Sequence, residues 1–186
     1  MKNIIEISKE FAIKSHKSVN QKYDGKPYDF HLQMAVDFAM MFIHLIPEED
    51  RDYVISGLWS HDILEDVPSV TYNDLMKVTN KSVAEIAYAL TNEKGRNRKA
   101  RANAKYYRGI RNTKYATFGK LCDRLANAKH SADSGSRMIK VYMKEQDNFK
   151  KHLTDNFIIK FWKKISFHKE PNYDEMWEYL DKILLK

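Results

Sequence analysis

Apolar residues recur at spacings of three and four along nearly the whole chain, and almost nothing interrupts them. Only six glycines and four prolines are spread over 186 residues, too few turn-formers for a meander of short strands. No stretch keeps strict apolar–polar alternation between turn signals, so the pattern points to helices packed on helices. Residues 3–17 read as a first helix with Ile4, Ile7, Phe11 and Ala12 inward. VNQKYDGKPYD, marked by Gly25 and Pro27, is the first loop. A second helix starts at Asp29 or Phe30 and runs to about Leu45, with Leu32, Val36, Ala39, Met40 and Ile43 at helical spacing.

A third helix begins after Pro47, where Glu48, Glu49 and Asp50 suit the positive end of the helix dipole. It continues through Val54, Leu58 and Trp59 into His61 and Asp62. Thr71 and Asp74 form a capping-box pattern before a short helix. Lys81 to Leu90 and Ala116 to Ser131 are further helices, and residues 136–186 supply one or two long helices and a last one after Pro171. The expectation is one all-α domain over residues 1–186, with no internal repeat or linker. A single cysteine, Cys122, allows no intrachain disulfide and fits a cytoplasmic setting. Acids at positions 6 and 10 in MKNIIEISKEF speak against a signal peptide. No apolar run nears the roughly 20 residues of a membrane span, so no membrane partner is expected.

The chemistry gathers at HDILED, residues 61–66. Pro68 discourages helical geometry at Val67, so the third helix should stop near Asp66. Glu65 and Asp66 then sit in its last turn, where the negative dipole end disfavours carboxylates. Broken local rules concentrate at functional sites. His61 and Glu65 are four apart, as are Asp62 and Asp66, so a second carboxylate stands one turn beyond each member of the first pair. The six residues by themselves admit two readings: a water-bathed helix end, or a set of ligands.

A metal site needs more donors, and the chain offers them. His31 opens the second helix after GKPYDF, and Asp123 lies in KLCDRLAN between Leu121 and Leu125. An acid flanked by core positions is seldom buried without a cation or hydrogen-bond donors. A His, His, Asp, Asp set suits Mn²⁺, Fe²⁺, Co²⁺ or Zn²⁺ better than a thiolate-loving ion.

The order His31, His61-Asp62, Asp123 resembles the HD phosphohydrolase superfamily. The run AIKSHK, GKPYDFH, HDILED, VAEIAYALTNE and KLCDRLANAKHS is similar, over about Ala12 to Ser131, to the hydrolase domain of the RelA/SpoT family. That family includes small stand-alone hydrolases, and the chain leaves no room for a synthetase half. The resemblance implies a helical bundle of the HD-domain type. It implies that His31, His61, Asp62 and Asp123 hold one divalent ion, usually Mn²⁺. Glu65 and Asp66 match the acidic pair that orients and activates the attacking water, and Asn127 matches an asparagine that contacts the substrate nucleoside. The implied reaction removes pyrophosphate from the 3′ position of (p)ppGpp. A related alarmone, another nucleotide such as a nucleoside monophosphate or NADPH, and a non-catalytic binding module are the alternatives.

The chain departs from the pattern at the base-binding loop. Where the family carries an arginine that stacks on guanine, this chain has Lys22, followed by Tyr23. Lysine lacks the planar guanidinium, and Tyr23 offers a ring in its place. Three residues after Asn127, where many members have threonine, stands His130.

Of the formal charge of +7, residues 94–114 carry nine Lys or Arg and no acid, which leaves the rest of the chain at −2. That segment reads as a phosphate clamp, as a solvated helix face, or as a nucleic-acid contact with Tyr106, Tyr107 and Tyr115 stacking on bases. His16 and His44 read as structural, His130 as a pocket or surface residue, and Cys122 as a buried thiol. The stripe Phe157, Ile158, Phe161, Trp162 and Ile165 reads as core or as a contact between copies of the chain rather than an interfacial membrane helix.

Overall fold

The computed structural model describes residues 2–154 and 171–185. In chain order it contains α1 (Ile4–Ser18), a hairpin of β1 (Lys22–Tyr23) and β2 (Lys26–Pro27), α2 (Asp29–Met41) and 3-10 turns at Ile43–Leu45 and Glu48–Asp50. There follow α3 (Arg51–Trp59), α4 (Ile63–Asp66), α5 (Tyr72–Val78), α6 (Lys81–Leu90), α7 (Arg98–Arg101), α8 (Ala104–Asn112), α9 (Ala116–Asp133), α10 (Met138–Thr154) and α11 (Asp174–Leu184). The aromatic stripe Phe157, Ile158, Phe161, Trp162 and Ile165 lies outside the described residues.

Helix α9 is the axis. It packs against α2, α6, α8, α10 and α11, and Phe118, Leu121, Cys122 and Leu125 on it are fully buried. One continuous core runs from Ala12 to Leu184, so α11 shares it with the first helices. Helices α3 and α6 approach closely because residue 57 is glycine: a Cβ there would come within 2.7 Å of Ile86 Cγ2. The capping box at Thr71 forms as the spacing predicts, with Asp74 N–H donating to Thr71 Oγ1 and the Asp74 carboxylate accepting from Thr71 N–H. The hairpin turns through Asp24 (φ 50°) and Gly25 (φ 77°), the Asp-Gly chemistry that a tight turn of this hand requires.

Three expectations need correction. Helix α2 stops at Met41 rather than Leu45, since Pro47 draws Ile46 into extended geometry (ψ 129°) and a 3-10 turn fills the gap. Met40 is accordingly 53% exposed. The buried face of α1 is Ser8, Ala12, Ser15 and His16, while Ile4, Ile7 and Phe11 are only half-buried; small side chains let α1 lie close against α3. Most consequential, the third helix does not run through HDILED. It ends at Trp59, and Ser60 and Asp62 adopt φ near −100° with ψ near 0° before α4 resumes. The Leu58 carbonyl, which a regular helix would give to the Asp62 N–H, instead accepts from His61 Nδ1–H at 2.6 Å.

Candidate active site

That break turns His61 into the protein interior, where it is 1% exposed. Its Nδ1–H is committed to the Leu58 carbonyl, so Nε2 is the ring atom turned toward the neighbouring acids. His31, in the first turn of α2 and 2% exposed, points its Nε2 to within 3.3 Å of that atom. Asp62 Oδ2 lies 3.0 Å from His61 Nε2 and 3.5 Å from His31 Nε2. From α9, Asp123 Oδ1 lies 3.4 Å from His31 Nε2 and 3.9 Å from His61 Nε2. The donor atoms of His31, His61 and Asp123 all fall within 4.8 Å of one another.

Neighbouring groups hold these side chains in place. Tyr28, at the end of the hairpin, donates its hydroxyl to Asp62 Oδ2 at 2.7 Å. Lys120, one turn before Asp123, donates to Asp123 Oδ2 at 2.7 Å. Asn127, one turn after it, donates to Asp123 Oδ1 at 2.5 Å and accepts from the Tyr23 hydroxyl at 2.9 Å. Tyr23 in turn stacks on His31 with ring centroids 4.7 Å apart.

The electrostatics fit a cation. Burial raises the Asp62 carboxyl, but the facing His61 and His31 imidazoles outweigh it and hold that carboxyl well below its usual range. Burial likewise raises Asp123, yet Lys120 and the two histidines hold it far down. Reciprocally, burial would lower His31, while Asp123 and Asp62 lift it to about 9. The donor atoms of His31, His61 and Asp123, with Asp62 Oδ2 beside both imidazoles, form a half-buried nitrogen and oxygen set that could hold a divalent ion once the histidines give up their protons.

The second acidic pair has different surroundings. Glu65 Oε2 accepts from Asn92 through the backbone N–H at 3.1 Å and the side-chain amide at 2.9 Å, and Arg101 Nη1 stands 3.6 Å from Oε1. Asp66 Oδ2 accepts from the Gln21 amide at 3.2 Å. Burial, and then the charge of Asp62, push the Asp66 carboxyl up to about 6.

His31, Asp62, Asp123, Glu65 and Asp66 line one cleft of about 540 Å³, with His61 buried behind them. Arg98, Lys99 and Arg101 from the basic segment and Lys144 from α10 line the same cleft. Tyr106 and Tyr107 of the same segment are buried at the cleft floor, while Lys105 pairs with Glu93 and Lys114 with Asp50. The structure thus brings together His31, His61, Asp62, Asp123, Glu65, Asp66, Asn127 and Tyr23. Lys22 lies apart, on a separate groove behind Tyr28. His44 is exposed and paired with Glu175 at 2.9 Å. Cys122 is buried, which pushes its thiol up. His130 bonds Asp24 at 2.9 Å beside a neighbouring cavity.

Several cleft residues carry no flag in the sequence. Tyr28 and Lys120 sit inside GKPYDF and KLCDRLAN, so the motifs contained them without naming their contacts. Asn92, Tyr142 and Glu145 reach the cleft only through tertiary packing. Glu145 gathers Arg98 (2.7 Å) and Arg124 (3.2 Å), and Arg124 lies over the Tyr142 and Phe149 rings.

No family model matches the chain, and no curated protein does. Among solved structures, that of a metazoan ortholog of SpoT, which hydrolyses ppGpp and plays a role in starvation responses, matches 100% of this chain and 96% of its own length. The TM-score is 0.64 at 17% identity. Similarity at that level speaks for architecture: the chain shares the all-α fold of that ppGpp hydrolase.

Proposed function

We propose that this chain is a metal-dependent phosphohydrolase of a phosphorylated nucleotide, and in its sharpest form removes the 3′-pyrophosphate of (p)ppGpp or a related alarmone. One observation carries the reading: the His31, His61, Asp62 and Asp123 donors lie together at a cleft that is also lined by Arg98, Lys99, Arg101 and Lys144. His31, His61, Asp62 and Asp123 would hold a divalent ion, Mn²⁺ before Fe²⁺, Co²⁺ or Zn²⁺, which when bound would supply Lewis-acid chemistry for a phosphoryl oxygen and for water. Arg98, Lys99, Arg101 and Lys144 offset the charge of the remaining phosphates as the substrate enters. Asp66, with its carboxyl near 6, is poised to take a proton from the attacking water at neutral pH. Glu65, tied by Asn92 and Arg101, orients that water and anchors the loop carrying the basic wall. Asn127 and Tyr23 border the cleft where the nucleoside would lie.

A second reading, an HD-type nucleotidase for another nucleotide, is favoured by the position of Lys22 outside the cleft, with Tyr23 in the place of a base-stacking cation. One panel separates the two. The purified protein with Mn²⁺ is given ppGpp, pppGpp, ppApp, NADPH and the nucleoside monophosphates, with products resolved by ion exchange. Pyrophosphate released from ppGpp and absent with Asp62→Ala supports the first reading. Turnover confined to another member supports the second. Turnover that survives both chelation and Asp62→Ala removes the metallohydrolase altogether.

A further inference from the structure

His16 has no part in the site as drawn above, yet its surroundings are hard to explain as mere packing. It lies near the end of α1, 2% exposed, and neither ring nitrogen has a hydrogen-bond partner among the described residues. Burial lowers it to about 4, so the ring is neutral. Burying two unpaired ring nitrogens carries a desolvation cost that a leucine would not. What the imidazole gives its neighbours is its flat face, and that face is occupied. It stacks on Tyr28, with centroids 4.4 Å apart and planes 25° from parallel.

Tyr28 is a thin partition. It lines the catalytic cleft on one side and a second cavity of about 380 Å³ on the other, where Ile13, His16 and Gln21 also stand. On the cleft side, Tyr23 and His31 meet its ring edge-on at 6.4 and 5.6 Å. His16, stacked on the face of the ring, stands where a tilt of Tyr28 away from the cleft would carry it. The tilt matters because the Tyr28 hydroxyl donates to Asp62 Oδ2, the same oxygen that faces both His61 and His31. The end of α1 holds the other acid too. The His16 carbonyl accepts from Gln21 N–H at 3.0 Å, and the Gln21 amide donates to Asp66 Oδ2.

We infer that His16 is a positioning residue: stacked beneath Tyr28, it fixes the direction in which Asp62 presents its carboxylate to a divalent ion. The inference rests on the metal site proposed above but not on any particular substrate. It acts through a face, so another flat ring serves and an aliphatic or truncated side chain does not.

The test is the Mn²⁺ affinity of the metal-free protein, measured by calorimetry for wild type, His16→Ala, His16→Phe, Tyr28→Phe and the His16→Ala/Tyr28→Phe double variant, with thermal melting as the control for folding. His16→Ala is expected to weaken Mn²⁺ about tenfold, as loss of an outer-shell support does, while His16→Phe stays within about twofold of wild type. Tyr28→Phe keeps the ring and loses the hydroxyl, so it weakens binding as well. In its background His16→Ala adds almost nothing, because the two act along one path. Unchanged affinity in a folded His16→Ala overturns the inference. So do additive effects in the double variant, and so does rescue by His16→Gln where His16→Phe fails. Should His16→Ala not fold, unchanged affinity in Tyr28→Phe or a large loss in a folded His16→Phe overturns it equally. A wild type that binds Mn²⁺ but turns over no nucleotide leaves this test intact and sinks only the substrate. A wild type that binds no divalent ion sinks both.

Discussion

Asp62 and Asp66 bracket the same four-residue helix, and the structure treats them in opposite ways. Asp62 faces two imidazoles and a phenol, and its carboxyl is held well below the ordinary range. Asp66 is raised to about 6 by burial and then by the carboxylates of Asp62 and Glu65, which outweigh the Tyr28 hydroxyl and the Gln21 amide beside it. Both are carboxylates within one cleft. Surroundings that favour the ionised form make one a fixed negative charge, suited to a cation. Surroundings that penalise it make the other a group that exchanges a proton near neutrality. The break at residues 60–62 produces the division, because it turns His61 and Asp62 toward the donor cluster and leaves the next turn at the cleft wall.

The sharpest way to break that contrast is to remove its charged member. Asp62→Ala is expected to lower Mn²⁺ affinity by two orders of magnitude or more, since a ligand counts for more than the groups supporting it. Turnover should fall by at least about 10³, as the ion's chemistry goes with it. Calorimetry and the nucleotide panel read the two losses separately. If Asp62→Ala binds Mn²⁺ as well as wild type, the donor set has been misassigned.

Asp66→Asn should look different. Loss of a proton acceptor typically costs about 10²–10⁴ in rate, and here it should fall on kcat, with Mn²⁺ affinity and KM changed by less than about tenfold. A variant that loses metal as completely as Asp62→Ala would erase the distinction between the two acids. A smaller effect tests the support of Glu65. Asn92→Ala frees Glu65 from both of its amide contacts if the loop shifts, and from one if it does not. The expected loss in kcat is roughly tenfold, with metal affinity intact.

Much of this was legible in the sequence, and what was not has identifiable causes. The span Lys81–Leu90, the capping box at Thr71 and the start of α2 at Asp29 follow from local pattern, and the structure reproduces them. His31, His61, Asp62 and Asp123 lie in short motifs whose residue types suit a metal, so their convergence was a reasonable expectation. The helix break was not readable. WSHDILED keeps helical spacing throughout, and the bond from His61 Nδ1–H to the Leu58 carbonyl that accompanies the break leaves no mark in that spacing. Nor was the far wall readable: α10 carries Tyr142, Lys144 and Glu145 on a face that looks like any exposed amphipathic helix until α9 is packed beside it. The basic segment illustrates the same limit. Composition marks residues 94–114 as one block, but packing divides it, sending Arg98, Lys99 and Arg101 to the cleft and pairing Lys105 with Glu93 and Lys114 with Asp50.

The finest test of the contrast needs no substrate. In the unfolded chain Asp66 titrates near its ordinary 3.8, and in the folded protein near 6. Below pH about 4 both states hold the proton and nothing is lost. Between about 4 and 6 the unfolded chain releases its proton while the folded protein keeps it, so folding stability falls as pH rises. Above about 6 the loss is complete, at about 1–3 kcal/mol for a partly buried carboxylate. Metal-free Asp66→Asn should therefore melt a few degrees above wild type at pH 7 and level with it at pH 4. Equal melting at both values would mean that Asp66 feels no repulsion from Asp62 and Glu65. Adding Mn²⁺ should then narrow the gap at pH 7, because a cation beside Asp62 cancels much of the negative field that raises Asp66.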